Sequence, residues 1–157
     1  RRLRGEDVIE PAKTHLELPP PVGGASLPKR YIGSDKHRLD AYRKLSRSSS
    51  VEELERVKRA ITEAYGAPPG PVSGLFELTE VRVLASRLGV RRIERDGPDL
   101  VFTCDRPEAF AGHLEGKFGR QADIRVTVLD ERTVYVRPPE SYLEPVSLYA
   151  VLRRWLG

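Results

Sequence analysis

Metal binding or proton transfer near neutral pH would fall first to His15, His37 and His113. They are far apart in the chain, and none has a second His or Cys at ligand spacing. Each reads as a surface residue, and no metal site is expected. Cys104 is the one cysteine, so neither an intrachain disulfide nor a cysteine-built zinc site can form. It ends the apolar run Leu100-Val101-Phe102-Thr103-Cys104 and reads as a small buried hydrophobe. A reducing, cytoplasmic setting is the expectation. No GxxxxGK[ST] phosphate loop, strand-linked GxGxxG or GxSxG elbow occurs. The carboxylate pair Glu52-Glu53 opens a predicted helix, where negative charge complements the dipole. No catalytic residue and no cofactor are expected, and the chain does not read as an enzyme in its own right.

What remains is charged surface. Lysines and arginines number 27 against 23 acids, a net charge of +4 in 157 residues. That balance is compatible with nucleic-acid contact, but a dedicated module concentrates its charge on one face. Here acids interleave with arginines. Arg91, Arg92 and Arg95 flank a predicted hairpin, and Arg153 and Arg154 close the last helix, where cations complement the C-terminal end. The densest charge lies on the second predicted helix: Glu52, Glu53, Glu55, Arg56, Lys58, Arg59 and Glu63 fall outside its apolar stripe. A solvated face laced by i,i+4 pairs such as Glu55 with Arg59 would look like this, and so would a helix that faces a partner. Composition leaves both readings open.

Around that helix the pattern predicts an α+β fold. Residues 1–30 read as an extended connector, with Leu16-Glu17-Leu18 as a short extended stretch and Pro19-Pro20-Pro21-Val22-Gly23-Gly24 as a breaker. Arg1 to Arg4 is basic, but Gly5-Glu6-Asp7 follows where a signal peptide would turn apolar. With no methionine anywhere, the chain reads as a piece of a longer protein. Residues 31–157 are expected to form one domain. A first helix starts at Ser34 or Asp35, with Leu39, Tyr42 and Leu45 on one face. Ser50 and Glu53 make a capping box for the second, whose stripe is Leu54, Val57, Ile61 and Ala64 or Tyr65, closed by Gly66. A third helix runs from about Pro71 to Leu88. It is apolar on more than one face and is expected to be the most buried.

Past Gly89 the period changes. Val90–Arg95 and Leu100–Cys104 read as a hairpin, and Pro107–Phe118 as a helix capped by Asp105. Ile124, Val126 and Val128 alternate as a strand, Thr133–Arg137 returns antiparallel, and a last helix over Ser141–Trp155 is broken or delayed by Pro145. The fold class is thus a helical N-terminal half followed by antiparallel β-hairpins, an intervening helix and a C-terminal helix. No apolar run is long enough to cross a bilayer, and no membrane is expected as a partner.

Several stretches resemble one family. They are Tyr31-Ile32 through Leu39-Asp40-Ala41-Tyr42-Arg43-Lys44-Leu45, Glu52-Glu53-Leu54-Glu55, Tyr65-Gly66 with Pro68, Pro71-Val72, and Leu75 onward through Leu84-Ala85 and Arg87-Leu88-Gly89-Val90. With Leu16-Glu17-Leu18-Pro19 ahead of them, they resemble the C-terminal domain of bacterial transcription-repair coupling factors over about residues 14–104. Beyond that only the order of elements is similar. The resemblance implies a parent with a superfamily-2 translocase motor, an RNA-polymerase-binding domain and a UvrB-like N-terminal module. Such a parent pushes RNA polymerase stalled at DNA damage off the DNA using ATP and recruits UvrA. It further implies that this last domain docks on the UvrB-like module, masks its UvrA-binding surface and restrains the motor. Docking in the family uses two acidic residues three apart on the helix corresponding to Val51–Tyr65. Glu63 matches the second, but Ala60 stands at the first, so that charge is lost or moved, for example to Glu55 or Glu52. The implied interdomain residues are Glu52, Glu55, Arg56, Arg59 and Glu63. A basic accessory domain that contacts DNA is the alternative.

Overall fold

The computed structural model describes residues 13–119 and 123–157, so the expectations for Arg1 to Asp7 fall outside the described residues. In chain order the elements are β1 (His15–Glu17), α1 (Asp35–Arg47), α2 (Val51–Tyr65), α3 (Gly70–Arg87), β2 (Val90–Asp96), β3 (Asp99–Cys104), α4 (Pro107–Phe118), β4 (Arg125–Val128), β5 (Thr133–Arg137) and α5 (Pro145–Leu156). A 3-10 turn over Glu140–Leu143 precedes α5, so Pro145 delays the last helix rather than breaking it. The fold is α+β, as the order of elements predicted.

Strand alternation builds the larger core. Leu100, Phe102 and Cys104 of β3 and Val134 and Val136 of β5 point to the same buried side. They meet α4 and α5, where Phe102 packs on Phe110 (5.0 Å between centroids) and Phe118 meets the Trp155 ring edge-on (4.9 Å). The sheet runs β1-β2-β3-β5-β4. Its two hairpins are antiparallel as expected. The stretch ahead of the helices adds β1 as a parallel edge on β2, so the sheet is mixed.

A second core belongs to the helices: Leu27, Ile32, Ala41, Leu45, Leu54, Ile61, Val72, Phe76 and Val83. Helix α3 serves both. Val72, Phe76 and Val83 enter the helical core, while Val81, Leu84 and Ala85 enter the sheet core. It holds eight buried residues on its two sides and exposes only Gly70, Ser73 and Arg87, whereas α5 buries six and exposes Pro145, Val146, Ala150 and Arg154, so α3 is the more completely covered, as its spread of apolar residues predicted.

Two local expectations are corrected. Leu39 is 52% exposed, because the core-facing stripe of α1 is Arg38, Ala41, Tyr42 and Leu45, and one residue past Arg38 turns the helix by about 100°. Asp105 does not cap α4; its carboxylate is taken by Arg91, whose Nε and Nη2 donate at 3.1 and 2.9 Å, and no side chain caps that helix.

Residues 13–32 lie across both cores. Thr14 Oγ1 donates to Val90 O (2.6 Å), Tyr149 Oη donates to Pro19 O (2.8 Å), and Ser26 N donates to Pro71 O (3.0 Å). Gly74 on α3 is buried under this segment, and a Cβ there would overlap the Gly24 carbonyl oxygen.

Candidate functional site

Helix α2 starts from a cap that its sequence dictates. Ser50 Oγ accepts from Glu53 N (3.1 Å). The Glu53 carboxylate reaches back to Ser49 N (2.9 Å), one residue earlier than in a standard capping box. Gly66, at φ +95°, ends the helix with its N–H on Thr62 O (2.8 Å). Leu54 and Ile61 are buried, and Val57 and Tyr65 are half-buried on either side of them.

The opposite face carries the expected site residues. Glu52, Arg56, Arg59 and Glu63 follow one another at spacings of four, three and four, which places them in one stripe, and all four are exposed. Glu55 lies off this stripe. Its Oε2 accepts from Lys58 Nζ (3.0 Å), not from Arg59, because Lys58 is drawn toward the core by the Phe76 ring (5.7 Å to the centroid). Among the described residues, Glu52, Arg56, Arg59 and Glu63 form no ion pair within the molecule.

Beside the stripe runs a groove of about 400 Å³ between α1 and α2. Its lining takes Glu53, Arg56, the exposed Ala60 and Ala64, and Tyr65 from α2, and Asp40 and Lys44 from α1. Asp40 and Lys44 pair with each other at 3.1 Å, each more than half exposed. Sequence reasoning missed the α1 wall. The signal for it was the small pair Ala60 and Ala64 at i,i+4, which keeps that side of α2 low.

Elsewhere several charges are tied together. Arg91 and Arg132 flank Asp105, whose carboxyl is held below its usual range foremost by the Arg91 hydrogen bonds. Arg92 pairs with Glu94 (3.1 Å) and Glu17 (3.6 Å), Arg137 with Asp99 (2.9 Å), and Arg153 with Glu77 (3.0 Å) and Glu80 (3.7 Å). Burial pushes the Cys104 thiol up to about 12, with Asp105 adding to the effect, so the thiol is not an activated nucleophile. No cluster of three or more His, Cys, Asp or Glu suited to a metal occurs among the described residues. No helix among them is long and apolar enough to cross a membrane.

The family model named TRCF domain matches residues 24–112. A transcription-repair-coupling factor of Mycobacterium tuberculosis is 37% identical over 81 residues, which are 52% of this chain and 6% of that protein. The Escherichia coli protein of the same name is 29% identical over 82 residues, 52% of this chain and 7% of that protein. The chain thus matches only a small fraction of the length of these relatives. A crystal structure of the C-terminal domain of transcription-repair coupling factor superposes with a TM-score of 0.66, covering 93% of this chain and 94% of that one at 15% identity. The family model stops inside α4, whereas the shared fold continues through nearly the whole chain.

Proposed function

This chain belongs to the TRCF domain family, and from that premise we propose that it is a non-catalytic regulatory domain of a transcription-repair coupling factor. In this reading it docks through α2 on the UvrB-like module of the same parent. Docking covers the UvrA-binding surface and restrains the ATP-driven translocase until stalled RNA polymerase is engaged. The parent's work on DNA, with RNA polymerase and UvrA as partners, takes place in the cytoplasm.

The observation that carries the proposal is the exposed stripe Glu52–Arg56–Arg59–Glu63, without an ion pair among the described residues, beside a groove lined in part by Ala60 and Ala64. Ala60 removes one acidic position, and Asp40 across the groove supplies a carboxylate in the same neighbourhood. Glu55, engaged with Lys58, contributes from the flank. Exposed ion pairs contribute only ~0–1 kcal/mol each, which suits a latch that must open. A small polar interface of this kind holds two domains together yet yields to a competitor. A competitor opens the latch only by binding the undocked state better, so docking and UvrA recruitment exclude one another by linkage.

Titrating the 157-residue chain against the parent's UvrB-like module tests this. Glu63→Lys and Arg59→Glu should each weaken binding by about tenfold at low salt. Absence of binding by the unaltered chain at low salt would sink the proposal. The chain alone should show no ATPase activity.

The alternative, a basic accessory domain on DNA, has less support. Of the arginines at the first hairpin and on the last helix, Arg91, Arg92 and Arg153 each bind a carboxylate of the same molecule and Arg95 donates to the Gly97 carbonyl, so these groups are partly engaged before any phosphate arrives. A DNA titration that weakens steeply with salt would revive it.

A further inference from the structure

Contacts between the α1–α2 pair and the sheet half run chiefly through α3, but residues 13–32 make a second link. At one end, β1 is only three residues long and pairs on one side, with the edge of β2. In the middle, the Gly24 carbonyl sits on α3 where only a glycine at position 74 leaves room. At the other end, Leu27 and Ile32 are buried among the helices, and Tyr31 reaches the last turn of α2. Its hydroxyl donates to Gly66 O (2.7 Å), and its ring packs on Tyr65 (5.9 Å between centroids), which lines the groove.

We infer that this segment is a strap through which displacement of the chain entering at residue 13 loosens the α1–α2 face. A one-sided, three-residue parallel strand is among the first pairings to open, since few backbone bonds must break together. Opening at β1 removes Thr14 from Val90, and the strap lifts from Gly74 once the Tyr149–Pro19 and Ser26–Pro71 hydrogen bonds give way behind it. Tyr31 then loses the tether that holds it against the α2 C-terminus. The functional meaning rests on the docking proposal above: a pull on the incoming chain becomes release of the docked face. The mechanical claim stands on the contacts alone.

Hydrogen exchange of the whole 157-residue chain, without any partner, tests it. Gly74→Ala forces the strap away from α3. We expect amides of α1 and of the last turn of α2 to exchange about tenfold faster or more, with β3 and β5 unchanged. Unchanged protection of α1 and α2 overturns the inference, whether or not the strap itself exchanges faster. So does an equal rise in every element, which makes the segment ordinary core. If Gly74→Ala does not fold, the double variant Thr14→Val with Tyr31→Phe is read against the same outcomes. Because no partner enters the measurement, failure of the docking titration and failure of the strap are separate results.

Discussion

The sheet half and the outward stripe of α2 handle charge in opposite ways. In the sheet half, Asp99, Asp105, Glu94 and Glu77 each hold an arginine, and the aromatic pairs Phe102–Phe110 and Phe118–Trp155 fill the space beneath. In the helical half, α2 turns Glu52, Arg56, Arg59 and Glu63 outward with no ion-pair partner among the described residues, over a smaller core of mostly aliphatic residues. Charge balanced inside a molecule contributes to its own fold, whereas charge left open becomes useful when a second surface arrives. Family identity crosses that division, since the matching model spans the helices and the first hairpin and ends in α4.

The sharpest test of the contrast is a core truncation on each side. Phe102→Ala should cost about 3–5 kcal/mol and Leu54→Ala about 2–5 kcal/mol in urea denaturation, both in one transition because α3 belongs to both cores. Two separated transitions would break the comparison into two independent domains. Next, Ser50→Ala removes the α2 cap and should cost about 1 kcal/mol, with fraying confined to the first turn of α2 by circular dichroism and amide exchange.

A pH series probes the sheet half. Cys104 keeps its proton in the folded state at pH values where the unfolded chain releases it. The stability from that buried thiol is therefore complete below its ordinary value of 9.0 and declines as pH rises beyond it. Denaturation midpoints should fall between pH 9 and pH 11 by more in the unaltered chain than in Cys104→Ala. The smallest effect on stability belongs to the outward stripe: Glu63→Lys should move unfolding by less than about 0.5 kcal/mol while it weakens docking. A large loss of stability there would show that the residue serves the fold.

Much of this was legible in residue order. The capping serine of α2, the glycines at its end and after α3, and both hairpins follow from local rules that tertiary packing does not override. Helix α3 showed its two-sided character as a spread of apolar residues with no single face. Leu39 misled, because periodicity identifies a stripe only when its centre is known, and Arg38 with Tyr42 set that centre elsewhere. Asp105 misled because a long-range arginine outcompeted the nearby helix end. The pairing of β1 with β2 joins residues some 77 positions apart (His15 with Arg92), beyond the reach of any local pattern. At the site, four of the five expected charges fall in one stripe by spacing alone. The α1 wall of the groove depended on how two helices cross, which no single helix encodes.

Helix α3 also limits how this protein can be cut or transplanted. Its Phe76 and Val83 belong to one neighbourhood and its Val81 and Leu84 to another, on a single eighteen-residue rod. A graft of α1 and α2 onto a foreign scaffold would therefore leave Leu54 and Ile61 without a seat unless the rod travels with them. Once moved, the rod exposes its other flank, and the new host must cover it.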